Sequence, residues 1–164
     1  MDASINRTPG IEEIYDRYAN LLFRLAFSLL LSKEDAEDAV QEVFIKFVVK
    51  KPAFNDVEHE KAWFVRVTIN LCHDLQRRRK IRSYTPLEEI SEIPHGEEKS
   101  YSMLEDVFEL SEKYKTVILL HYFEDFSVEE IADILKISKS AVKMRLKRGR
   151  DLLKGKLEKE YEYV

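Results

Sequence analysis

The chain has 164 residues, 45% hydrophobic and 35% charged, with 27 Lys and Arg against 31 Asp and Glu for a net charge of −4. That length admits one medium domain or two small ones, the apolar content excludes wholesale disorder, and four Gly with four Pro are too few for a turn-rich β protein and favour long helices. A single cysteine, Cys72, excludes an intramolecular disulfide and a Cys-rich zinc site, and the mild acidity argues against a nucleic-acid partner only as a sum, not as a distribution.

The first ten residues, MDASINRTPG, have no basic patch followed by an apolar stretch, so they do not read as a signal peptide. The longest apolar run, near residues 25–31, is interrupted by Ser28 and is too short to span a bilayer. The expected location is the cytoplasm, with no membrane insertion.

From 11 to 31, Ile11, Ile14, Tyr15, Tyr18, Leu21, Leu22 and Leu25 recur at the spacing of a helix with one buried face. Ser32, with Asp35 three positions on, is a candidate N-cap for a second helix that buries Ala36, Ala39, Val40, Val43, Phe44 and Phe47. Pro52 stops that helix by Lys51, and residues 52–59 read as a loop. A third helix, about 60–80, carries Trp63, Phe64, Val67, Leu71 and Leu75 and ends in the basic run Arg77-Arg78-Arg79-Lys80. Aromatics interleaved with Arg66, Asn70 and these arginines can stack on unstacked bases while neutralising phosphates, or can be core residues beside a helix end that complements its dipole.

Periodicity fades from 83 to 102, where Pro86, Pro94, Gly96 and five glutamates mark a flexible acidic linker. It is either a solvated tether or a segment that follows a basic channel or mimics nucleic acid. Helical patterning resumes at 101–109, then from 111 through Val117, Ile118, Leu120 and Tyr122.

Residues 126–156 carry the strongest local signal. Ser127 and Glu130 form a capping box, Ile131, Ala132, Ile134 and Leu135 supply a packing face, Lys136-Ile137 make a turn, and Ser138 caps the next helix. Val142, Leu146, Gly149 and Leu153 form that helix's buried stripe; Ser140, Lys143, Met144, Lys147 and Arg148 face outward. The two capped helices and the short turn read as a helix-turn-helix, whose second helix would enter the major groove; charge alone would equally fit an ordinary solvated basic helix face. Residues 139–156 hold eight cations against Asp151, a local net of +7, while 83–113 hold nine acids against Lys99 and Lys113. Lys136 stands where a glycine is common, at a position that tends to need positive φ.

Three segments together resemble a bacterial extracytoplasmic-function (ECF) sigma factor of RNA polymerase: DAEDAVQEVFIKF (35–47), AWFVRVTIN (62–70) and YFEDFSVEEIADILKISKSAVKMRLKRGRDLL (122–153). The resemblance implies an all-α protein of two small helical domains joined by the acidic linker. Residues 1–82 would be sigma region 2, 83–102 the linker, and 103–164 sigma region 4 with the helix-turn-helix. It implies that Asp38, Gln41 and Glu42 dock on the β′ clamp of core RNA polymerase. The loop 52–59 would capture a flipped −10 base, with Phe54, Asn55 and Asn70 at its pocket, Trp63 and Phe64 at the point of strand opening, and Arg66 and Arg77 on the −10 DNA. Lys139, Ser140, Lys143, Met144, Lys147 and Arg148 would read the −35 element, Met144 standing where a small polar residue is frequent. Promoter DNA, core polymerase and an anti-sigma factor are the implied partners; no catalytic residue, metal or cofactor is implied. Twenty extended linker residues reach at most about 70 Å, about two turns of duplex.

Three other readings compete. A stand-alone helix-turn-helix regulator accounts for 127–157 but not for the aromatic–basic third helix or the D-x-x-Q-E surface. An enzyme is disfavoured because His59, His73, His95 and His121 show no metal spacing and there is no Gly-rich phosphate loop. An adaptor that binds only protein would leave Lys143 and Arg148 without a role.

Overall fold

Every element of the computed structural model is helical among the residues it describes, 9–79 and 106–162, in keeping with the all-α expectation. The chain divides into two units, Met1–Tyr84 and Thr85–Val164. The expected acidic linker, 83–102, lies outside the described residues, as does the end of the basic run beyond Arg79.

The first unit is three helices, α1 (Ile11–Leu30), α2 (Lys33–Lys50) and α3 (Val57–Arg79). α1 buries Ile14, Tyr18, Leu22, Leu25, Ala26 and Leu29, one stripe at helical spacing. Ile11 and Tyr15, expected on that stripe, are exposed. Ile11 lies in the first turn, past the packing partners, and the Tyr15 ring leans on Phe44 at the rim, 5.0 Å between centroids. Leu31, in the left-handed region at φ 56°, stops the helix by donating its N–H to the Phe27 carbonyl. Ser32 then caps α2, its Oγ accepting from the Asp35 N–H at 3.3 Å. α2 buries Ala36, Ala39, Val40, Val43 and Phe44, as the spacing predicts; Phe47 is only half-buried. Lys51, also left-handed, ends α2 directly before Pro52.

α3 begins three residues earlier than periodicity suggests, which shortens the loop to 51–56. The cause is Asp56, whose Oδ1 accepts from the His59 N–H at 2.7 Å while its carbonyl accepts from Glu60. The buried face of α3 is Glu60, Phe64, Val65, Thr68, Ile69, Leu71 and Cys72; Trp63, Val67 and Leu75 are half-buried at its margins. Two polar ties hold the helices in register. Buried Glu60 accepts from the Arg17 guanidinium at 2.7 Å and the Tyr18 hydroxyl at 2.6 Å, joining α3 to α1. At the other end, Arg79 bonds Asp35 in the first turn of α2, and Gln76 donates to the Leu29 carbonyl.

The second unit packs a short helical turn at 106–108, α4 (Glu112–Ile118), a π-helical turn (Leu119–Phe123), α5 (Val128–Leu135) and α6 (Lys139–Glu162). The expected single helix through Tyr122 instead widens at Leu119, where the Glu124 N–H reaches back five residues to the Leu119 carbonyl. Asp125 at φ 57° follows, and Phe126 turns into the core. His121 donates through Nδ1 to the Phe126 carbonyl at 2.8 Å, pinning the corner.

At that corner the Ser127–Glu130 capping box is present in both directions, 3.1 Å each way. Lys136 adopts φ 57°, ψ 43°, and the Ile137 N–H closes back on the Ala132 carbonyl at 3.1 Å, a Schellman-type stop made without glycine. Ser138 caps α6 through the Ala141 N–H. Val142, Leu146 and Gly149 are buried and Leu153 half-buried, the expected stripe, and α6 runs on to Glu162, past the expected end near 157.

Gly149 marks the closest approach of α6 to α4, since a Cβ there would meet Ile118 Cγ1 at 3.0 Å and Cδ1 at 3.1 Å, whereas Gly155 faces open space. Gly149→Val is therefore expected to destabilise the protein by about 1–3 kcal/mol. Gly155→Ala should stabilise it by about 0.5–1 kcal/mol, and denaturant titration of both variants checks the contrast. A second expectation concerns pH. The Arg79 guanidinium beside Asp35 holds that carboxyl below the usual range. A carboxyl depressed in the folded state adds stability that is fully present above its unfolded value, near 3.9, and is lost as pH falls through the folded value. Arg79→Gln should thus be less stable than the parent at pH 7, with the gap closing as pH drops below about 4, as read by urea denaturation.

Candidate nucleic-acid interface

Adjacent residues on a helix point about 100° apart, so an aromatic pair cannot both face the core. On α3 the division is complete. Phe64 is 0% exposed and ringed by Tyr18 (4.7 Å between centroids), Trp63 (5.0 Å), Phe47 (5.2 Å), Phe44 (5.6 Å) and Phe54 (6.4 Å). The expectation that Phe64 touches DNA is corrected: its ring is the floor on which the outer aromatics rest. Trp63 stands above it, half-buried, edge-on to Phe47 and Phe54.

Trp63, Arg66, Asn70 and Arg77 recur at steps of three, four and seven, which keeps them within about 60° of one another around α3. Asn70 and Arg77 are exposed and Arg66 is half-buried. Arg77 shares an exposed contact with Asp74 at 3.6 Å, too weak to hold it from a phosphate. The loop 51–56 closes over the N-terminal end of this stripe. Phe54 is half-buried, its ring parallel to Phe47 and edge-on to His59; Asn55 is exposed and donates its backbone N–H to His59 Nδ1 at 3.2 Å. The sequence-predicted residues Phe54, Asn55, Trp63, Arg66, Asn70 and Arg77 therefore share one outer surface, and Phe64 supports it from beneath.

On α2, Asp38, Gln41 and Glu42 are exposed on a single face. That face continues into Ile45 (61% exposed), Val48 and Val49 (75%), a run at helical spacing that lies outside the predicted contact set. The signal was present: these three fall off the stripe defined by Ala36, Val40, Val43 and Phe44. The result is an acidic and amide end followed by an uncovered apolar end on one unit.

On α6 the outward residues Ser140, Lys143, Met144, Lys147 and Arg148 form one exposed face opposite Val142, Leu146 and Gly149. Lys139 lies at its margin and pairs with Glu129 of α5 at 3.1 Å. That pair is exposed at both ends, worth less than about 1 kcal/mol, and bridges the two helices of the motif. Arg150, counted among the basic residues of this helix, instead donates to the Tyr122 hydroxyl at 3.0 Å. Three or four cations thus remain on the outward side, with exposed Met144 among them.

Burial pushes the Cys72 thiol up to about 12, which keeps it a protonated core residue. Among the described residues, no group of three or more His, Cys, Asp or Glu is placed to hold a metal, and no helix is long and apolar enough to cross a membrane.

Comparison with known proteins divides the chain in the same chain order. The family model for sigma-70 region 2 matches residues 14–82 and that for sigma-70 region 4 matches 109–153. RNA polymerase sigma factor SigV of Bacillus subtilis is 35% identical over 141 residues, covering 84% of this chain and 85% of that protein. The ECF sigma factor SigW of the same organism is 29% identical over 163 residues, covering 88% and 87%. The fold is similar to that of the sigma factor RpoE in its complex with the anti-sigma factor NepR from Bartonella quintana, with a TM-score of 0.72, 22% identity and coverage of 90% of this chain and 96% of that one. It is likewise similar to CnrH in complex with the cytosolic domain of CnrY, with a TM-score of 0.71, 22% identity and coverage of 90% and 87%. Both regions in order, along nearly the whole length of a 35% identical relative, show that this chain belongs to the RNA polymerase sigma factor family, in its extracytoplasmic-function group.

Proposed function

We propose that the chain docks on the β′ clamp of core RNA polymerase through the α2 face, opens promoter DNA at the −10 element through the α3 stripe and the 51–56 loop, and reads the −35 element with α6. It acts in the cytoplasm, performs no bond chemistry and needs no cofactor. The observation that carries this reading is the opposition on α3: Phe64 is in the core while Trp63, Arg66, Asn70 and Arg77 line one outward stripe. A core helix would not need that row of cations and amide; a strand-opening surface needs both a stacking ring and phosphate partners.

Each surface has a physical task. On α2, Asp38 and Glu42 meet a basic partner helix and set orientation, while Ile45 and Val49 supply the apolar area that gives affinity. On α3, stacking of an extruded −10 base against Trp63 or Phe54 offsets the cost of unpairing it, so binding draws the duplex toward the melted state. On α6, Lys143, Lys147 and Arg148 offer phosphate and guanine contacts, and Met144 an apolar contact to a thymine methyl. Control by an anti-sigma factor is proposed on the strength of the structural neighbour RpoE, which is bound to the anti-sigma factor NepR.

The test is reconstitution with core polymerase on a promoter library. Asp38→Ala with Gln41→Ala should weaken core binding about tenfold and leave the melting temperature unchanged. Trp63→Ala should reduce open-complex formation about tenfold or more while closed-complex binding falls far less. Specific binding of a symmetric duplex site without polymerase would instead make the chain a stand-alone helix-turn-helix regulator.

A further inference from the structure

We propose that His59 is the positioning residue of the 51–56 loop, locking Phe54 and Asn55 in the arrangement that receives the −10 base. The proposal rests on the reading of that loop as part of the strand-opening surface, and adds a residue outside the predicted contact set.

Asp56 is the N-cap, since its carbonyl accepts the first helical bond, from Glu60, and its Oδ1 accepts from the His59 N–H at 2.7 Å. His59 is therefore the third residue of the helix, the position from which a Glu or Gln reaches back in a capping box. Here an imidazole makes the return bond. Its Nδ1 accepts the backbone N–H of Asn55 at 3.2 Å, one residue before the cap. An acceptor at Nδ1 requires the neutral ring with its proton on Nε2.

The same ring also meets Phe54 edge to face, 5.5 Å between centroids at 88°. The imidazole thus holds two consecutive residues of a six-residue loop, Phe54 by its ring and Asn55 by its amide, while the His59 backbone N–H ties the third, Asp56. Phe47, Trp63 and Phe64 support Phe54 from the other sides. His59 itself is exposed, so its burial contributes little to the core. Its bonds are spent on the shape of the loop, and a pocket for an extruded base depends on such preorganisation.

The experiment compares the full-length parent, His59→Ala and His59→Gln by two readouts. Amide hydrogen exchange at Asn55 reads the latch itself. Open-complex formation with core polymerase, on a matched promoter and on one with a substituted −10 base, reads its consequence. The Ala variant is expected to lose Asn55 protection, to open the matched promoter about fivefold less, and to discriminate less between the two promoters, with core binding unchanged. The Gln variant, whose side-chain oxygen can take the same amide, should recover both readouts to within about twofold. Unchanged Asn55 exchange in the Ala variant overturns the latch. Lost protection with normal opening and discrimination overturns the positioning role and leaves the proposed function standing. Failure of Gln to restore either readout, or an equal loss of core binding, also overturns it. A parent chain that opens no promoter with core polymerase removes the underlying reading and this proposal with it.

Discussion

The first unit depends on the burial of one ring. Phe64 touches aromatic side chains from α1, α2, the 51–56 loop and its own helix, and has no exposed surface. Fully burying such a side chain contributes about 2–3 kcal/mol, and tilted aromatic pairs add to that. The larger consequence is geometric. Once Phe64 faces inward, the 100° step of the helix puts Trp63 at the margin, and the residues three, seven and fourteen positions beyond Trp63 share its side. The core contact and the outward stripe are two results of the same rotation of α3. The Glu60 clamp to Arg17 and Tyr18, at one end, and the Arg79 bond to Asp35, at the other, hold that rotation in place.

The second unit solves a different problem, that of bringing two helices close at a fixed angle with few glycines. Gly149 gives α6 its close approach to α4, and Lys136 takes the left-handed turn position between α5 and α6 at a cost of about 1 kcal/mol. The capping box, the Schellman-type bond and the Ser138 cap offset that cost by satisfying backbone groups at each helix end. The outward face of α6 then carries Lys143, Lys147 and Arg148 exposed, with Glu129 paired to Lys139 at the margin. The net charge of −4 conceals this, because the acids are concentrated elsewhere along the chain.

Much of this was legible from the residues, and what was not has identifiable causes. The helix-turn-helix reads clearly because its signals are local: Ser127 and Glu130, the short turn, and a stripe at steps of four and three. The ends of α1 and α2 read well for the same reason. The start of α3 did not, because the return bond of its cap is made by a histidine, which no capping pattern anticipates. The pair Trp63-Phe64 left open which ring faces inward, since that depends on partners from three other segments. The exposed face of Ile45, Val48 and Val49 was hidden within a run in which Val43, Phe44 and Phe47 are also apolar. The π-helical turn at Leu119 answers a tertiary demand, the delivery of Phe126 to the core, and has no sequence signature of its own. Of the candidate site residues, only Phe64 is relocated; the others lie on outward or marginal surfaces, where their proposed contacts are sterically open.

The most direct test of the account is site-specific photocrosslinking from residue 63 in a complex of the full chain, core polymerase and promoter DNA. A photoreactive phenylalanine analogue in place of Trp63 should crosslink to the −10 DNA strand, and only once the promoter has opened. Crosslinks from residue 63 to polymerase alone, or to DNA before and after opening alike, would contradict the account.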